Sequence, residues 1–175
     1  MSTQNLNTIV CTNLEEFEQH IENLFVVRIP DGVTHIPDGA FKNGHLIKEV
    51  ILPASLETIG NEAFMNCDKL ETVTCLGNDL TEIGDSAFSD CTSLETVTCL
   101  GNNLTSIGYC AFYGCISLET VTFLGNNLTE IGQCAFHTCT SLQHIDIPNS
   151  VTSIRLHAFY GCTSLHVPTL RDYVR

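Results

Sequence analysis

Phenylalanine recurs at Phe41, Phe64, Phe88, Phe112, Phe136 and Phe159, with spacings of 23, 24, 24, 24 and 23 residues. Each lies in a self-similar segment whose fullest form reads AFxxCxSLExVTxLGNNL. A unit of this length is too small to bury its own apolar edge, so it folds only by stacking on neighbours of the same shape. The period therefore predicts a solenoid, and it turns attention from pockets to faces.

Aligning the units assigns each position a task. Ile47, Leu70, Leu94, Leu118, Leu142 and Leu165 open each strand, and three residues later come Val50, Val73, Val97, Val121 and Ile145. Two residues further on stand Leu52, Cys75, Cys99, Phe123 and Ile147, so that apolar and polar residues alternate as a half-buried strand requires. Strands stacked in register bring equivalent side chains to about 4.8 Å, and each position becomes an apolar ladder. The chain then bends through Gly-Asn-Asn, or through Pro53-Ala54-Ser55 and Pro148-Asn149-Ser150, a difference of one residue that accounts for the two spacings. Ile59, Ile83, Ile107, Ile131 and Ile154 follow, and then the Ala-Phe pair, which is expected on a short helical or 3₁₀ turn on the outer side.

The ends differ from the middle. Thr12-Asn13-Leu14-Glu15 matches a capping box, and Leu14, Phe17, Ile21, Leu24 and Phe25 share one helical face, so a capping helix is expected over 13–24. The first strand of the array is expected near residue 27, and Pro168 ends the strand pattern at the other edge. The division is an N-terminal cap over 1–26, an array over 27–167 of about five full repeats after a partial one, and a tail over 168–175. Together they form one structural domain.

The pattern IGxxAFxxCxSLxxVxxP, as in Ile83-Gly84-Asp85-Ser86-Ala87-Phe88-Ser89-Asp90-Cys91-Thr92-Ser93-Leu94, closely resembles the BspA-like leucine-rich repeats. The resemblance covers about residues 27 to 167. It implies an α/β fold: a right-handed leucine-rich-repeat solenoid with a parallel sheet on one face and helical or 3₁₀ turns on the other. It also implies a role in binding proteins or extracellular and host surfaces, often as an adhesin.

Charge and motif content narrow the chemistry. With a net charge of −13 and only seven Lys and Arg, the chain lacks the cations that nucleic-acid binding needs. No apolar run is long enough for a membrane span, and MSTQNLNTIVCTNLEE is not a basic segment leading into an apolar one. A cytoplasmic monomer is the default expectation, with the cell surface as the alternative if more chain precedes it. No phosphate-cradling glycine loop, Gly-x-Ser-x-Gly elbow or His-Glu-x-x-His occurs, and no cofactor is implied, so a non-enzyme is expected. The seven histidines share almost no register, and each reads as a surface residue.

Of the ten cysteines, Cys67, Cys91, Cys115, Cys139 and Cys162 share one register position and read as a buried column of small thiols. Cys75 and Cys99 fall on the inner side of their strands. Cys110, Cys115, Cys134, Cys139 and His137 have the composition of a zinc site, but their Cys-x₄-Cys spacing and the inward and outward alternation of the pairs argue against convergence on one ion. No metal is expected.

The outward face of the sheet is left as the place for function. It carries Lys48, Glu49 and Ile51, then Glu71, Thr72 and Thr74, then Glu95, Thr96 and Thr98. Glu119, Thr120 and Thr122 and finally Gln143, His144 and Asp146 continue it. The expected use of the face from Glu71 to Asp146 is recognition of a basic or polar protein partner. An alternative is ice binding through the Thr-x-Thr rungs, which only three units carry. Asn103-Leu104-Thr105 and Asn127-Leu128-Thr129 match the glycosylation sequon, but both arise from the repeat.

Overall fold

The computed structural model describes residues 25–98 and 102–166 together with the backbone of residues 7–10. The capping helix expected over 13–24 and the tail over 168–175 lie outside these residues. Numbered in chain order, the strands alternate between two sheets. The first, seven-stranded and parallel, contains β1 (Asn7–Val10), β2 (Phe25–Arg28), β4 (Ile47–Leu52), β6 (Thr72–Cys75), β8 (Thr96–Val97), β10 (Thr120–Thr122) and β12 (His144–Asp146). The second, six-stranded, contains β3 (His35–Ile36), β5 (Thr58–Ile59), β7 (Glu82–Ile83), β9 (Ser106–Ile107), β11 (Glu130–Ile131) and β13 (Ser153–Ile154).

The first sheet has the expected register. Val27 pairs with Val50, Val50 with Val73, Val73 with Val97, and the pairing of Thr96 with Thr120 carries the file on to Val121 and Ile145. These valines and the leucines opening each strand are buried, and the threonines on either side are half-buried or exposed. The sheet reaches further toward the N-terminus than residue 27, because Asn7–Val10 pairs in parallel with Phe25–Arg28.

The second sheet has no signature in the sequence pattern. Its strands are two residues long, one exposed or half-buried and one apolar, so they carry no alternation that a sequence pattern could reveal. Each isoleucine pairs with its equivalent in the next coil, as Ile83 does with Ile107. The glycine that follows it is needed for that approach: a Cβ on Gly108 would lie 2.6 Å from the carbonyl carbon of Gly84.

The helical or 3₁₀ turns expected around the Ala-Phe pair are absent among the described residues. This side is instead a ladder of turns bonded between coils. The Phe64 N–H donates to the Ala87 carbonyl at 2.7 Å, Phe88 to Ala111 at 2.8 Å, and Phe112 to Ala135 at 2.7 Å. In a helix these donors would turn back onto their own coil. Residues two before and two after each phenylalanine are left-handed, as at Ser86 (φ 54°) and Asp90 (φ 58°), and that backbone aims alternate N–H groups at the neighbour. Left-handed residues at these points end any helical path.

The core is built from columns. Adjacent phenylalanine rings stack with centroids 5.0 to 5.4 Å apart. Beside them run the cysteines, whose thiols donate to the phenylalanine carbonyl of the preceding coil: Cys91 to Phe64 at 3.1 Å, Cys115 to Phe88 at 3.1 Å, and Cys139 to Phe112 at 3.2 Å. A small apolar side chain with one weak donor suits this position, because the carbonyl it meets is buried.

Thr138 is a β-branched residue held at φ 58°. Thr138→Gly is expected to stabilise the fold by about 1 kcal/mol, since relief of the left-handed penalty exceeds the added chain entropy, and the thermal midpoint will read it. At the end of the second sheet Arg155 donates to both carboxylate oxygens of Glu130, at 2.9 and 3.1 Å, and this hydrogen bonding lowers the Glu130 pKa from its ordinary 4.5. A depressed carboxyl stabilises above its unfolded pKa and ceases to do so as pH falls through the folded value. Arg155→Gln should thus lower stability slightly at neutral pH, and denaturant titrations should show the gap closing below about pH 4.5.

Candidate binding surface

The proposed surface is assembled by in-register pairing. Thr72 pairs with Thr96 and Thr96 with Thr120, which pairs in turn with His144. The row before them is bonded at both of its ends: Glu95 N–H donates to the Glu71 carbonyl at 3.0 Å, and Gln143 N–H to the Glu119 carbonyl at 2.9 Å. Every residue from Glu71 to Asp146 named for this face lies on it, half-buried at Glu71, Thr72 and Thr74 and exposed from Glu95 onward. Burial thus falls along the array, and the accessible part is its C-terminal half.

Charge along the face is uneven. Lys48 Nζ lies 3.3 Å from Glu71 and neutralises the first acid of the row. His144 Nε2 lies 3.2 Å from Asp146 at the far end. Between them, among the described residues, Glu95 and Glu119 have no cationic side chain within 4.0 Å. They border an open groove of about 310 Å³ lined by Glu95, Thr96, Val97, Thr98, Glu119, Thr120, Thr122 and Leu124. The arrangement can attract a cation, offer hydroxyls for hydrogen bonds and cover an apolar group.

Sequence reasoning missed the apolar rim of this groove. Leu124 is 63% exposed, and its register equivalent Leu76 is 51% exposed. In the shorter coil Leu52 runs directly into the buried Pro53, whereas Cys75 and Phe123 are each followed by an extra leucine before the turn glycine. The inserted residue has no inward position to take. The 24-residue spacing was the available signal.

The cysteine and histidine groups occupy different sides of the backbone. Cys115 and Cys139 are fully buried and bonded to carbonyls, while Cys134 and His137 sit half-buried on the turn side. His137 is stacked between Tyr113 and Tyr160 at 5.0 Å from each ring. These residues do not converge, and among the described residues no three metal-ligating side chains are placed to hold an ion.

Comparison with known proteins agrees with the repeat geometry. The model of the BspA type leucine rich repeat region matches residues 12–124 and 100–174, in six copies. The chain belongs to the BspA-type leucine-rich-repeat family. Such proteins are in general interaction or surface-adhesion modules. A leucine-rich repeat protein from Bacteroides ovatus is 33% identical with a TM-score of 0.71, over 80% of this chain and 38% of that one. The leucine-rich repeat protein of T. pallidum is 26% identical with a TM-score of 0.68, over 95% of this chain and 88% of that one. A leucine rich cell surface protein from Faecalibacterium prausnitzii is 27% identical with a TM-score of 0.68, over 95% of this chain and 51% of that one. This BspA-type chain thus spans well under two thirds of the first and third of these. No curated protein gives a significant match. Among the described residues, no helix is long and apolar enough to cross a membrane.

The cysteine column makes a prediction about reactivity. Burial pushes the Cys91, Cys115 and Cys139 thiols well above the ordinary thiol range, leaving almost no thiolate at neutral pH. Alkylation followed by mass spectrometry should label these three only as fast as the array opens, and urea should make them reactive together.

Proposed function

We propose that this chain is a non-catalytic protein-interaction module that binds a basic partner on the outward face of its first sheet. The observation that carries this reading is the pair Glu95 and Glu119, uncompensated by any nearby cation among the described residues and flanking a groove with hydroxyl walls and the exposed Leu124 as its rim. A partner segment with a Lys or Arg and an adjacent apolar side chain matches that sequence of groups. The ice-binding alternative has three threonine rungs bordered by carboxylates in its support, and a charged border favours a charged partner over the neutral surface of ice.

We further propose a cytoplasmic location, a compartment in which buried thiols without a disulfide partner, such as Cys91, Cys115 and Cys139, are kept as thiols. A cell-surface role is the second reading, supported by its similarity to the Faecalibacterium prausnitzii cell surface protein. Immunolocalisation on intact and permeabilised cells separates the two.

The test of the binding face begins with affinity capture from the native source and continues with measured affinities. Glu95→Lys combined with Glu119→Lys is expected to weaken the captured partner at least tenfold and to abolish the salt dependence of its association. Glu57→Lys, an exposed acid beside the second sheet, should leave binding unchanged. Equal affinity for the wild type and the double variant would overturn the assignment of the face.

A further inference from the structure

We propose that Cys110 and Cys134 are a disulfide-forming pair, a modification site on the turn side of the solenoid that fastens the Phe112 coil to the Phe136 coil. Both residues stand two positions before a core phenylalanine, in consecutive coils, and both have the same left-handed backbone, φ 52° and φ 56°. Side chains with equal register and equal backbone leave the chain in the same direction. The Cys110 N–H donates to the Gln133 carbonyl at 2.9 Å and the Phe112 N–H to the Ala135 carbonyl at 2.7 Å, which holds the two coils at ladder distance. Equivalent Cα atoms on adjacent coils are then about 4.8 Å apart, inside the window of roughly 4.4–6.8 Å that a disulfide spans, and the parallel Cβ atoms have to approach by a few tenths of an ångström to come within its roughly 3.5–4.5 Å.

The neighbouring cysteines do not compete. Cys115 and Cys139 are committed to the Phe88 and Phe112 carbonyls in the interior, away from oxidants. Cys110 is 9% exposed and Cys134 is half-buried, which fixes the order of events. With a low-molecular-weight disulfide such as oxidised glutathione, the more accessible Cys134 thiolate attacks one sulfur and a first glutathione leaves as its thiolate. The Cys110 thiolate then attacks the Cys134 sulfur of the mixed disulfide and expels the second glutathione. Two protein thiols are oxidised, one glutathione disulfide is reduced to two thiols, and the displaced protons pass between thiols and solvent. The bond joins the same two coils that pair as β10 and β12 on the binding side, so it limits their separation.

The test uses the full chain, fully reduced, desalted and incubated with oxidised glutathione before residual thiols are alkylated. Cleavage after Glu119 and Glu130 puts Cys110 and Cys134 in separate peptides. Mass spectrometry should find these two peptides joined and lighter by about two mass units than their sum, with fragment ions placing the bond at Cys110 and Cys134 and not at Cys99, Cys115, Cys139 or Cys162, which share the two peptides. The oxidised protein should melt several degrees above the reduced one, and Cys110→Ser should show neither change. The proposal fails if both residues are recovered alkylated, if Cys134 retains glutathione without closure, or if either thiol is joined to another cysteine. It fails equally if the cross-link forms without any gain in melting temperature.

Discussion

Backbone hydrogen bonds from each coil to the next set a rise of about 4.8 Å along the array, and the choice of side chain at nearly every buried position answers to that spacing. The bonds run on three sides: through the first sheet, through the two-residue strands of the second, and through the turn ladder from phenylalanine N–H to alanine carbonyl. At this rise aromatic rings of equal register can only stack, as the phenylalanines do with interplanar angles of 1° to 8°. A Cβ on Gly108 would meet the coil before it, so glycine follows the isoleucine. The thiol of Cys115 reaches the carbonyl of Phe88 because that carbonyl lies one rise away. The repeat is conserved within the chain because its constraint recurs with every coil.

What was legible in the sequence follows the same logic. The first sheet could be read because its strands are long enough to alternate, and the file from Val27 to Val97 lies where the pattern put it. The second sheet could not, because a strand such as Glu82–Ile83 shows one apolar residue and no period. The turn side misled for a different reason. Its left-handed positions are held by Gly39, Asn43, Asn66, Asp90, Gly114, His157 and Gly161, types that favour positive φ, but equally by Glu62, Ser86, Cys110, Cys134 and Thr138, so no uniform signal marks them. An Ala-Phe pair flanked by ordinary residues reads as helix, and only the bonding between coils corrects it. The candidate face was legible in its residues but not in its relief: the neutralisation of Glu71 by Lys48 depends on which neighbour a coil meets, and the outward Leu124 on what one inserted residue does in its own turn.

The same rise governs what side chains of one register can do together. Catalytic groups must converge within hydrogen-bond reach of one reacting atom. Side chains of one register leave the array in parallel, each a rise away from its equivalent, and the described cysteines, histidines and acids nowhere gather into a metal-binding set. What a periodic face can do is present the same few groups repeatedly to something extended. On the first sheet those groups are a carboxylate, two hydroxyl-bearing threonines and, in the longer coils, a projecting leucine. Their order across the strand is fixed by covalent sequence and their order along the array by register. A partner segment lying along the groove between strands β8 and β10, parallel to them, would meet an acid first, a polar floor next and an apolar lip last, and only one orientation of a basic, apolar-tipped segment would satisfy all three. On the proposed binding face, specificity of direction would then come from the insertion of one residue into the turn, the same change that lengthens the repeat from 23 to 24.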